Sequence, residues 1–241
     1  MIYINKGILT NVPSTEVNMK LLKKHWRLLC GCYVFIYLPW FFALERMYPI
    51  NSPKMHILDT AFDKALPFLE IFIVPYMLWF LYIVATCVYM FFKADDKEFF
   101  RLAATLILGM TTTLIICMIY PNGVTLRPDI STLSDTWFGN TIKGLWATDT
   151  STNVFPSVHC YNSMAAHMAL AHCKAFKKHK VLNVLSLILC ISICLSTMFL
   201  KQHSVLDFLG AILLMSIMYY FFYIRGYAKV RKTVTTVATE E

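Results

Sequence analysis

Two short stretches of this chain carry residues that can do chemistry on phosphorus. The first is Lys201-Gln202-His203-Ser204-Val205-Leu206-Asp207. A histidine and an aspartate four apart on a helix share one face. A carboxylate so placed fixes the imidazole tautomer and stabilises the cation formed when the other ring nitrogen reacts. A neutral imidazole held in this way is a competent nucleophile toward phosphorus. The second stretch is Phe155-Pro156-Ser157-Val158-His159, where a polar loop turns into a hydrophobic helix. Pro156 suits the first helical position, where no backbone hydrogen bond is lost. Ser157 and the free N–H groups of that first turn form an anion site supported by the helix dipole. His159 sets a titratable imidazole beside the anion, placed to protonate a leaving group. Lys201 and Arg127 are the cations available to neutralise a phosphoryl group.

Each piece also has a structural reading. His–Asp pairs at this spacing arise by chance, Pro-Ser starts are mostly caps, and Arg127-Pro128 reads equally as a solvated turn. Lys201 could be an interfacial anchor. His167 and Glu70 read as packed polar groups between helices rather than ligands. The conjunction of three such signals in one chain is what carries the chemical reading. Shared chemistry requires His159 and His203 to lie well within about 10 Å of each other.

The elements that must position these residues are membrane helices. Of the 241 residues 58% are hydrophobic and only 15% charged, and the mean hydropathy of +0.57 excludes an ordinary soluble domain. Eighteen Phe, thirteen Tyr and five Trp fit a chain that meets lipid and its interfaces. The net charge of +8 comes in short basic clusters between apolar runs, the pattern of membrane loops and not of a nucleic-acid binder. The eight cysteines lie mostly in apolar segments without a metal-type CxxC pair, so they read as packing residues, and no metal or other cofactor is expected. No cleavable signal peptide is expected either.

The fold class expected is all-α and polytopic, with six transmembrane helices. Residues 1–27 form a polar, basic cytoplasmic lead-in, 28–225 a six-helix membrane catalytic domain, and 226–241 a basic cytoplasmic tail. The spans run over 28–43, 67–92, 100–120, 156–172, 181–200 and 205–224, each near the roughly 20 residues a crossing needs. Pro39-Trp40 suggests a kink or an interfacial end in the first. Residues 55–65 look like a short amphipathic helix lying on the membrane, and 121–155 like a polar loop. With six spans, sixteen of the 22 Lys and Arg fall on one side. The positive-inside rule then places both termini in the cytoplasm and His159, Arg127 and the 201–207 turn on the outer face. The expected location is the cell membrane.

At these residues the chain resembles the type 2 phosphatidic acid phosphatase superfamily of integral membrane lipid phosphatases and phosphotransferases. That family shows a Lys followed seven residues later by Arg-Pro, then Pro-Ser-x-His, then Ser-Arg with a His six residues after the Arg and an Asp four beyond. Arg127-Pro128, Pro156-Ser157-Val158-His159, and Ser196 with His203 and Asp207 match these blocks. The resemblance covers roughly residues 60–225. It implies that His203 forms a phosphohistidine, Asp207 orients it, His159 acts on the leaving oxygen, and Arg127 and Ser157 hold the phosphate. Tyr120 and Thr197 stand where two cations are expected, with Lys201 a candidate replacement for one of them. The chain thus looks like the divergent branch that also contains sphingomyelin and inositol-phosphoceramide synthases.

The reaction expected is metal-independent hydrolysis of a lipid phosphate or isoprenoid diphosphate at the outer face. The bilayer and the lipid substrate are its partners, with no nucleic acid. Two alternatives stand beside it: transfer of a phospho-headgroup to an alcohol acceptor, and non-catalytic binding or transport of lipid phosphates. Substrate identity and oligomeric state stay open.

Overall fold

The computed structural model describes residues 25–225. The tail 226–241 and residues 1–24 of the lead-in lie outside the described residues. In chain order the named elements are α1 (Val34–Met47), β1 (His56–Ile57), α2 (Ala61–Ala65), α3 (Ile73–Lys93), α4 (Asp96–Ile119), β2 (Asn122–Gly123), α5 (Trp137–Thr148), α6 (Val158–His172), α7 (Lys180–Phe199) and α8 (Val205–Tyr219). Short 3-10 turns at Glu70–Phe72 and Ile130–Thr132 precede α3 and α5, and α8 runs on through a π turn, Tyr220–Arg225.

Five helical stretches among the described residues are long and apolar enough to cross a membrane: His25–Met47, Glu70–Lys93, Asp96–Ile119, Lys180–Phe199 and Val205–Arg225. The first begins ahead of the expected boundary at 27/28 and takes in Arg27. Pro39 lies inside α1 and does not end it; the irregular turn comes earlier, at Cys32–Tyr33. Pro75 sits in the first turn of α3, where its missing N–H costs nothing. The outward faces carry exposed apolar side chains such as Phe35, Phe80, Leu81 and Leu213, which suits contact with lipid tails as apolar as they are.

The fourth expected span is a different object. α6 has 15 residues, about 22 Å at the helical rise, and is shorter than a helix that crosses the hydrocarbon core alone. It packs against α3, α4, α7 and α8, and nine of its 15 residues are buried. This enclosure explains its weak hydropathy: a helix surrounded by protein has no lipid-facing surface to keep apolar. Small residues at Ala165, Ala166 and Ala169 let neighbouring helices approach closely. Tyr161 uses the same economy, donating its hydroxyl to Thr105 O at 2.7 Å while its ring fills the space left by Gly109. His167 meets Ser186 Oγ at 3.1 Å, and Tyr82 Oη lies 2.7 Å from the same hydroxyl. That residue is a packed polar group, as its position among apolar neighbours suggested.

Two expectations for the connecting segments are corrected. Residues 55–65 do not form one surface helix. Met55 N donates to Ser52 O, His56 and Ile57 pair in parallel with Asn122 and Gly123, and a capping box between Thr60 and Asp63 delays the helix to Ala61. The polar loop 121–155 contains α5, a 12-residue helix started by Thr136, whose hydroxyl accepts from Gly139 N. Glu70 anchors the segment leading into it, accepting from Ser134 N at 2.8 Å and from the Ser134 hydroxyl. A second link, Gly123 bridged to Thr152, ties the loop's return to β2.

Candidate active site

The starts of α3, α6 and α8 and the ends of α4 and α7 meet at one end of the bundle, and the two sequence motifs meet there with them. Ser157 caps α6, its Oγ accepting from Cys160 N at 3.4 Å. Ser204 caps α8, and Asp207 completes the capping box by accepting from Ser204 N at 2.8 Å. The motifs are joined directly, because Ser157 N donates to Asp207 O at 3.1 Å. Gly210 brings them closer still: a Cβ there would stand 2.5 Å from the Phe155 ring, so only glycine lets Phe155 settle against α8. Pro156 does not take the first helical position. It precedes the cap, joined to Phe155 by a cis peptide bond.

The turn from α7 into α8 is tight. Lys201 adopts a left-handed backbone with φ 56°, a conformation that costs a side-chain-bearing residue about 1–2 kcal/mol. In return Gln202 N and His203 N both donate to Thr197 O, at 2.9 and 3.1 Å. His203 is thereby aimed inward and is 7% exposed. Its Nδ1–H donates to Asp207 Oδ2 at 3.2 Å, which leaves Nε2 facing away from the carboxylate. His159 Nδ1 lies 3.3 Å from that Nε2. The two imidazoles are in hydrogen-bond contact, far inside the separation that shared chemistry allows. Burial depresses the His203 imidazole, but the Asp207 hydrogen bond and charge outweigh it, with Cys160 and Asp149 adding, and leave His203 above its ordinary value.

Behind His159 stand two aromatic rings from α3, Tyr76 with its centroid at 4.7 Å and Trp79 at 4.4 Å. Tyr76 is buried and donates its hydroxyl to Asp149 Oδ2 at 2.6 Å. Arg127 donates Nη2–H to the Asp149 carbonyl at 2.7 Å and to Gln202 Oε1 at 2.5 Å, and its guanidinium covers the Trp146 ring at 5.5 Å. Burial pulls the Arg127 guanidinium down from its ordinary value, against the opposing charge of Asp149; an arginine stays cationic all the same. A cavity of about 30 Å³ is lined by Asp149, Thr152, Asn153, His159, Gln202 and His203, among others. It has room for a water or two.

Of the residues singled out in the sequence, His159, His203 and Asp207 form one continuous chain of contacts. Ser157 is bonded to Asp207 through its backbone, and Arg127 reaches the residue next to His203. Lys201 stands apart from this chain of contacts. It is 6% exposed, and its ammonium donates to the carbonyls of Asp63 and Leu66, at 2.7 Å for the latter. Two of its three donors pin the 60–66 segment to the turn. Asp63 strengthens that attachment by accepting from Val205 N at 2.8 Å. Neither position left without its expected cation is filled from elsewhere by the same side chain. Tyr120 stacks on His56 at 4.0 Å, and Thr197 donates its hydroxyl to Cys194 O at 2.8 Å within its own helix.

Sequence reasoning missed Tyr76, Trp79, Asp149 and Gln202. Tyr76 and Trp79 look like any aromatic pair on a lipid-facing span, and only the fold turns them inward. Asp149 stands in a loop rich in Asp and Thr. Gln202 did leave a signal, being the one glutamine in the whole chain and adjacent to His203.

A profile for the PAP2 superfamily matches residues 98–231, more than half of the chain. No curated protein and no solved structure matches it. The matched stretch holds Arg127, Ser157, His159, His203 and Asp207, while Tyr76 and Trp79 come from the helix that precedes it. This chain is an integral membrane protein and belongs to the PAP2 superfamily, whose members are typically phosphatases acting on phosphate esters.

Proposed function

We propose that this protein hydrolyses a lipid phosphate or isoprenoid diphosphate without metal, through a phosphohistidine on His203. The single observation that carries the reading is the line Asp207–His203–His159, with contacts of 3.2 and 3.3 Å. Asp207 holds Nδ1–H, so the lone pair of Nε2 points at the position a phosphorus would occupy. In the first step Nε2 bonds to phosphorus, the bond from phosphorus to the leaving oxygen breaks, and His159 gives that oxygen its proton. In the second, water attacks the phosphohistidine, His159 takes the water's proton, and the P–N bond breaks to regenerate the imidazole. Arg127 and the first-turn N–H groups of α6 stabilise the charge on the phosphoryl oxygens. Because the two rings now touch, the substrate has to part them to place phosphorus against Nε2.

In this reading residues 28–225 form the catalytic domain and α6 is the sixth helix of the bundle. Both termini lie in the cytoplasm, as the distribution of Lys and Arg favours. The site then opens at the extracytoplasmic face of the cell membrane, where a lipid headgroup reaches it while the tail stays among the helices.

One observation favours a second reading, transfer of a phospho-headgroup to an alcohol. With Tyr120 and Thr197 in place of two cations and Lys201 engaged elsewhere, the corner offers less positive charge than a doubly charged phosphate calls for. Phosphate release from a panel of lipid phosphates in EDTA, wild type against His203→Ala, tests the first reading. Release that vanishes in the variant supports it. Turnover that requires an added acceptor alcohol supports the second, and no turnover under either condition overturns both in favour of lipid-phosphate binding.

A further inference from the structure

Buried polar atoms in a membrane protein are almost always paired, and several left unpaired around one small cavity call for an explanation. Gln202 is 2% exposed and lines the small cavity together with His159 and His203. Its Oε1 accepts from Arg127 at 2.5 Å. A guanidinium has donors and no acceptor, so the atom facing Arg127 has to be the oxygen, and the amide's orientation follows. The NH2 group is therefore directed away from Arg127, and it has no hydrogen-bond partner among the described residues. Arg127 Nε is likewise buried without a partner among them. On the cavity wall Asn153, held at φ 56°, leaves its own Oδ1 unpaired as well.

We infer that Gln202 is a binding residue for the reacting phosphoryl group, donating its NH2 to a phosphoryl oxygen while its carbonyl holds Arg127 in position for a second one. The assignment rests on the phosphohistidine reading for the place of the phosphorus. Attack by His203 Nε2 sets the phosphoryl oxygens in the cavity that Gln202 lines, one residue along the chain from the nucleophile. A neutral amide polarised by a bound guanidinium thus does part of what the absent cations at positions 120 and 197 would do. Before substrate arrives, a water in the cavity satisfies the NH2; a phosphoryl oxygen replaces it with a charge-assisted bond.

Because the chain has a single glutamine, the first test needs no variant. Protein carrying glutamine labelled with 15N in its side-chain amide gives one NH2 signal, and it is titrated with orthovanadate, a phosphoryl transition-state mimic. The inference expects that signal to shift saturably, and to stop responding in His203→Ala if the vanadate sits on the nucleophile. Vanadate that binds, by inhibition or thermal shift, without moving the signal overturns the inference and leaves the phosphohistidine reading intact. Vanadate that does not bind at all overturns both.

Two substitutions separate donation from tethering. Gln202→Glu keeps an acceptor for Arg127 and removes the donors, whereas Gln202→Leu removes both. If Gln202 donates to the phosphoryl group, each lowers kcat/KM by about 100-fold, the loss typical of one oxyanion donor. Vanadate affinity falls in parallel, and the melting temperature of Gln202→Glu stays close to that of wild type. If Gln202→Glu keeps activity within about threefold while Gln202→Leu loses it, the residue is only a tether for Arg127 and the inference is wrong.

Discussion

Two of the molecule's cavities could hardly differ more. At the site end lies a space of about 30 Å³, walled by His159, His203, Asp149, Gln202 and Asn153. Toward the other end, between the first span, α3 and α4, lies a groove of about 500 Å³ walled almost wholly by apolar side chains such as Val84, Val88, Phe92 and Leu106. Its one charged wall residue, Arg27, is already bonded to Asp96 and to the carbonyls of Phe91 and Ala94. The contrast follows from what fills each space. An apolar groove on the surface of a membrane bundle is filled by lipid tails at no cost, so nothing in the sequence has to close it. A polar cavity is closed down until its groups satisfy one another, because each unpaired group is expensive away from water. The atoms left unpaired in the small cavity are informative for that reason, whereas the volume of the large one is not.

This comparison can be broken by substitutions on either side. The largest effect is expected from Asp207→Asn. It leaves the shape of the corner intact but removes the charge that holds His203, and kcat should fall by about 10³ to 10⁴-fold, as for other carboxylate-to-amide changes beside an imidazole. The pH profile sharpens the test. His203 must be neutral to attack, and Asp207 holds it above its ordinary value, so the rate falls as pH drops through that raised value. In Asp207→Asn the acid limb of kcat/KM against pH moves to lower pH. An unmoved limb would mean that another group controls it.

A smaller effect is expected from Tyr76→Phe, which deletes one hydroxyl donated to Asp149 and keeps the ring against His159. The loss should be about tenfold in kcat/KM, the worth of one hydrogen bond to a charged group, measured with a lipid substrate identified in the release assay. The smallest comes from the groove. Val84→Trp adds bulk where the side chain is 58% exposed and should leave activity within about twofold. A loss as large as that of Tyr76→Phe would show that the groove communicates with the corner and that the contrast drawn above is too sharp.

Much of this architecture was legible from residue types alone, and the exceptions have physical causes. Long apolar runs give α3, α4, α7 and α8 nearly to their ends, because lipid exposure forces hydropathy onto sequence. α6 is harder to read for the opposite reason: enclosed by four helices, it tolerates Asn162, Ser163 and His167 and is shorter than a lone spanning helix. α5 is hidden by Thr, Gly and Asn residues, and only the Thr136 cap marks its start. His159, His203 and Asp207 are readable because each belongs to a short local motif, and the fold brings the two motifs into contact. Lys201 and Gln202 are hard to place from sequence. A lysine two residues from His203 looks like a phosphate ligand, but the left-handed turn at Lys201 sends its ammonium to the carbonyls of Asp63 and Leu66 and leaves Gln202 on the cavity wall. Backbone conformation decides that exchange, and side-chain chemistry alone does not reveal it.

The central claim is that His203 carries the phosphoryl group covalently. The most direct measurement is to mix the protein with an intact lipid phosphate or diphosphate that it turns over, in EDTA, quench in alkali, where phosphohistidine survives, and locate the phosphate by mass spectrometry. The account predicts a phosphoryl adduct on His203 that is absent in His203→Ala and that accumulates in His159→Ala given a lipid diphosphate, whose phosphate leaving group departs without a proton while hydrolysis of the adduct lacks its base. Turnover without any adduct on His203, or an adduct on another residue that persists in His203→Ala, would contradict it.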